Sequence, residues 1–139
     1  MKIYDENIDI RELAEVYDAN SKDAFVSLYI DTFDEKFINK RREACSSILR
    51  KDMQLYTNFE KTMEMIYDYI DKNRKHNIII FASYINKFFK AYKISIPIEN
   101  LFVVDSSPYI RPIVESMDKY ERYGLILINS HKAKMYIVY

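Results

Sequence analysis

The sequence predicts an α/β fold, an α+β sandwich in which a mixed β-sheet is packed by helices. Three observations carry that expectation. Two short runs, "AFVSLYID" at 24–31 and "NIIIFAS" at 77–83, are apolar, β-branched and aromatic, as strands buried on both faces are. Between them, from about Glu35 to Arg74, no Gly or Pro interrupts an apolar spacing of three and four that suits helix. Strand-like and helical stretches then alternate to the end of the chain, which is the order of a sheet covered by helices.

In chain order, "IDIRELAEVYDAN" places Ile10, Leu13, Ala14 and Tyr17 on one stripe behind Asp9, a residue suited to cap a short helix. The strand at 24–31 comes next. The stretch from Glu35 to Arg74 carries Phe37, Ala44 and Ile48, then Phe59, Met63, Ile66 and Ile70, and predicts a helical pair or one bent helix. Its break is expected near 51–58, where "MQLYTN" weakens the stripe. After the strand at 77–83, "KFFKAYKISIP" predicts a third strand ended by Pro97, and Leu101–Val104 a further one. "SPYIRPIVESMDKYERYG" sets Ile113, Met117 and Tyr120 on one face of a helix that Gly124 stops, with Pro108 and Pro112 in its approach and first turn. The last residues, "YGLILINSHKAKMYIVY", read as two strands joined by a polar turn. An isolated hairpin is marginal in water, so it calls for a partner sheet.

Composition narrows function before any motif does. At 139 residues the sequence is one domain, or one domain with a fragment of another. The 21 Lys and Arg balance the 21 Asp and Glu, so no bulk field draws the chain to DNA, RNA or a membrane surface, and binding must come from a local patch. Cys45 is the single cysteine, which excludes an internal disulfide; with no signal peptide and no apolar run near membrane-spanning length, the expected compartment is the cytoplasm. Gly124 is the single glycine. Loops that cradle phosphates need two or three, so neither a P-loop nor a dinucleotide fingerprint is encoded.

Enzyme chemistry finds no footing. His76, His131 and Cys45 fall at no metal-ligand spacing, and no base, orienting acid and oxyanion donor come together, so neither metal nor cofactor is expected. Cys45 beside Ala44, Ile48 and Leu49 reads as a structural thiol, and "DSS" at 105–107 as helix-entry residues. RNA contact is the remaining chemical option. Lys36, Lys40, Arg41 and Arg42 cluster at the start of the long helical stretch, Lys72, Arg74 and Lys75 at its end, and Lys87, Lys90 and Lys93 interleave with Phe88, Phe89 and Tyr92. Cations would meet phosphates and aromatics would stack on bases. The RNA-contact set is Lys40, Arg41, Arg42, Lys87, Lys90 and Lys93.

The stretches "VSLYIDTFDEKFINKRREACSSIL", "IIIFAS" and "SSPYIRPIVESMDKYERYGLILINSHKAKMYIVY" together resemble the N-terminal domain of the archaeo-eukaryotic class I peptide chain release factor superfamily, nearest to its bacterial and archaeal release-factor-like members. The resemblance spans nearly the whole chain, through structural rather than catalytic motifs. It implies a release-factor-like N-terminal domain over 1–122, with 123–139 as the first hairpin of a truncated central, RNase-H-like domain. It further implies ribosome or tRNA as partner. Termination factors release peptide through a GGQ loop, which a sequence with one glycine cannot contain, and read stop codons through NIKS and YxCxxxF motifs, which are absent; "INKR" at 38–41 echoes the first only faintly. The expectation is therefore a non-catalytic domain. The alternative is a protein-interaction or self-assembling α/β module, a homo-oligomer formed through the C-terminal hairpin.

Overall fold

Aspartates set where the first three helices begin. The computed structural model describes residues 8–94 and 97–122, with side chains as far as Ser116. Its elements are α1 (Ile10–Glu15), β1 (Phe25–Ile30), α2 (Glu35–Leu49), α3 (Met53–Lys72), β2 (Asn77–Ser83), β3 (Phe88–Ile94), β4 (Leu101–Asp105) and α4 (Arg111–Arg122). Asp9 accepts from the Glu12 amide at 3.0 Å, Asp34 from Phe37 at 3.1 Å, and Asp52 from Gln54 and Leu55 at 3.1 and 3.3 Å. Each carboxylate satisfies first-turn amides that have no partner within the helix, an effect of about 1 kcal/mol per cap. The hairpin expected at 123–139, with His131, lies outside the described residues, as do the side chains of Met117 and Tyr120.

The α/β class stands as expected: a four-stranded sheet in the order β3-β2-β1-β4, packed by helices. The expected mixed pairing is corrected, because every pairing among the described residues is antiparallel. The reason lies between β1 and β2. One crossover helix returns the chain for a parallel strand, whereas two helices add a further reversal and deliver an antiparallel one. Arg42 meeting Glu60 and Asn39 meeting Tyr67 show α2 and α3 running in opposite directions.

β1 and β2 are buried along almost their whole length because helices cover both faces of the sheet. On one face Val26, Leu28, Ile30, Ile78 and Ile80 pack with Ile38 and Leu49 of α2 and Phe59, Met63, Ile66 and Ile70 of α3. On the other, Tyr29, Ile79, Phe81, Tyr92 and Ile94 pack with Leu13 of α1 and Ile113 of α4. Each fully buried aliphatic side chain contributes roughly 1.5–3 kcal/mol of transfer free energy.

Three sequence expectations shift. The break between helices falls at Arg50–Asp52 rather than further into 51–58, since Asp52 caps α3 at once. In α2 the buried positions are Ile38, Ser46 and Leu49, while Ala44 is exposed and Ile48 is 67% exposed. The inward seam of α2 carries polar residues that bond to α3, and apolar periodicity cannot register those. Tyr17 is exposed too, because α1 ends at Glu15 with Val16 as its C-cap.

Buried polar side chains tie the layers together. Asn58, 4% exposed on α3, donates to the Ala24 carbonyl at 3.0 Å and accepts from the Ile85 amide at 2.7 Å. Thr62, one turn on, donates to the Asn58 carbonyl at 2.7 Å and accepts from the Tyr84 amide at 2.9 Å. Together they hold the turn Tyr84–Lys87 between β2 and β3. On the opposite face the Ser27 hydroxyl accepts from the Tyr109 amide at 2.8 Å, and the Tyr29 hydroxyl donates to the Tyr109 carbonyl, which pins the approach to α4.

Candidate nucleic-acid interface

The six residues expected to contact RNA separate onto different surfaces. Lys40 and Arg41 are exposed on α2, one turn and more beyond the exposed Lys36. Arg42 turns inward instead. Its guanidinium donates to Glu60 at 2.7 Å and lies 5.4 Å from the centre of the Tyr67 ring, whose hydroxyl donates to Asn39 at 3.1 Å. Burial alone would raise the Glu60 carboxyl, but the hydrogen bond and charge of Arg42, with Tyr56 and Ser46 hydroxyls, outweigh it and hold the group below its ordinary value. The same hydrogen bond raises Arg42 against the opposing effect of burial. Arg42 is therefore committed to joining α2 and α3.

The residues of β3 divide by strand alternation. Lys93 shares a face with Phe89 and Ala91, on the α2–α3 side, whereas Lys90 projects with Phe88 and Tyr92 toward α1 and lies 3.5 Å from Glu12. Lys87 occupies the turn with φ 51, a left-handed conformation that glycine or asparagine adopts more readily. Its amide donates to the Tyr84 carbonyl at 3.0 Å.

The interleaved aromatics serve the fold. Phe88 meets Phe25 edge-on at 5.7 Å, Phe89 lies 5.8 Å from Tyr69, and Tyr92 lies 6.4 Å from Phe81. Several other cations cover aromatic faces of the chain itself: Arg50 on Tyr56, Lys61 on Tyr84 and Arg74 on Phe33, at 5.5, 4.8 and 4.7 Å. At the end of α3, Lys72 pairs with Asp68 at 3.2 Å and Arg74 with Asp71 at 2.8 Å. Basic–aromatic interleaving in this sequence thus reflects intramolecular packing, each such contact being worth about 0.5–1 kcal/mol at an exposed site.

Lys87 and Lys93 form no ion pair among the described residues, and a further cationic group stands at the start of α2. Lys36, Lys40 and Arg41 form no ion pair among the described residues. The sequence 38–41 lies within α2, on a helix as its spacing suggested. Cys45 is half-buried, and burial raises its pKa, so the thiol is neutral at pH 7. Among the described residues no group of three His, Cys, Asp or Glu is placed to hold a metal, and no helix is long and apolar enough to cross a membrane. Sequence reasoning missed Asn58 and Thr62. Two polar residues at i and i+4, inside the stripe of Phe59, Met63 and Ile66, were the signal available.

No protein-family model matches the sequence, and no curated protein matches it.

Proposed function

We propose that the chain is a non-catalytic, release-factor-like N-terminal domain of the cytoplasm that associates with the ribosome or with tRNA and positions the polypeptide beyond residue 122. The observation that carries this reading is the group Lys36, Lys40 and Arg41, three exposed cations on one helix, where Arg42, Lys72, Arg74 and Lys90 are each paired with a carboxylate. Charges already matched within the fold have little to gain from a phosphate, whereas unmatched ones release counterions from the nucleic acid when they bind.

Ribosome pelleting of the full chain tests the reading. The double variant Lys36→Glu and Lys40→Glu, one helical turn apart, should lose most co-sedimentation at low salt with the fold unchanged. Pelleting equal to wild type would overturn it. The second reading, a protein-interaction or self-assembling module, is favoured by the character of β4.

A further inference from the structure

The two edges of the sheet are built differently. β3 carries Lys90 and Lys93 within its seven residues, and lysines on an edge discourage another strand from pairing. β4 runs Leu101, Phe102, Val103 and Val104 without a charge or proline before Asp105. It pairs with β1 over all five residues in continuous register, and among the described residues no strand pairs with its other side. An edge strand presents every second amide and carbonyl outward, and those groups need partners.

Beside this edge lies a groove of about 320 Å³ lined by Cys45, Ile48, Leu49, Phe102 and Val104, with Arg41 and Asp23 also on its walls. Ile48, 67% exposed, is among the large apolar side chains that the described residues leave in water, and it lines the groove beside β4. Cys45 adds a small, neutral, apolar surface.

We propose that β4 is a self-pairing edge: a second copy of this chain adds its own β4 antiparallel across a two-fold axis, joining two four-stranded sheets into one and closing the Ile48 groove of each copy. Three properties point to a second copy rather than an unrelated partner. Pairing centred on Val103 overlaps the whole strand, sets Phe102 opposite Val104, and places no like charges opposite each other. Arg41 and Asp23 bring opposite charges to the same groove, an arrangement complementary to itself under two-fold symmetry. The 21 basic and 21 acidic residues leave no net repulsion between copies.

Sedimentation equilibrium of the full chain, with Ile48→Glu and Val103→Lys variants, tests the proposal. Wild type should be dimeric, and each variant should weaken association by at least about 100-fold with far-UV circular dichroism unchanged, Val103→Lys by setting two ammonium groups opposite each other on the axis and Ile48→Glu by placing a carboxylate in each groove that closes. Ile48 is mostly exposed, so its variant keeps the test sound if Val103→Lys fails to fold. A wild-type chain that stays monomeric at about 100 μM, well above the Kd range of stable interfaces, overturns the proposal. So does a dimer that both folded variants leave intact, since the contact then lies elsewhere, for instance in 123–139. Amide protection in β4 that is equal at all concentrations also overturns it, because the chain's own residues then cover the edge.

Discussion

Replacing Asn58 by Ala removes two hydrogen bonds at once, and their surroundings set the cost. The Ala24 carbonyl that Asn58 satisfies belongs to a residue with 0% exposure, so water cannot take the place of the lost amide. An orphaned buried acceptor costs about 1–3 kcal/mol. The Ile85 amide lies in a turn where the residue is 40% exposed, so hydration recovers part of its loss and the net is nearer 0.5–1.5 kcal/mol. The sum is about 1.5–4.5 kcal/mol, a large part of the stability of a domain this size. Urea unfolding should show the midpoint falling by roughly 1–2 M with an unchanged slope, given typical slopes of about 1–3 kcal/mol/M. Thr62→Val, which keeps shape and orphans only the Tyr84 amide, should cost about half as much. A loss below about 1 kcal/mol in Asn58→Ala would refute the reasoning, because the turn would then be held by its own backbone.

Lys87 and Glu60 give two further expected outcomes. Lys87→Gly should stabilise the protein by about 0.5–1 kcal/mol in the same assay, since a side chain at φ 51 strains the turn by more than glycine loses in chain entropy. Glu60 has a folded pKa below its ordinary 4.5, so its contribution is fully present above that value and is lost as the pH falls through the folded value. Glu60→Gln should therefore lower stability at pH 7 and flatten the decline below pH 4.5 in urea titrations, whereas a decline as steep as wild type would remove the Arg42 pair from that role.

The legible parts of the fold are those in which one physical signal acts alone. β2 falls on the predicted 77–83, and α3 buries Phe59, Met63, Ile66 and Ile70, because burial on both faces or along one stripe leaves an unbroken apolar pattern. Asp9 and the placement of Pro112 in the first turn of α4 follow from local chemistry. The inner face of α2 is not legible because its seam is polar: Arg42 and Ser46 point to Glu60, while Ala44 and Ile48, which fit an apolar stripe, face outward. Strand direction is hidden because it depends on how many helices separate β1 from β2, and a gap-free stretch conceals that number. At the candidate site, sequence locates the cations but not their partners. Glu12 and Glu60 lie far along the chain from Lys90 and Arg42, and only folding brings each pair together.

The salt dependence of ribosome binding bears most directly on the proposed function. If Lys36, Lys40 and Arg41 meet phosphates, the logarithm of the association constant measured by pelleting should fall against the logarithm of salt concentration with a slope of about −2 to −3, one increment of roughly 0.7–0.9 per contact. Lys36→Glu with Lys40→Glu should bring that slope close to −1 or abolish binding. A slope near zero, or no binding to ribosomes at low salt, would contradict association through α2.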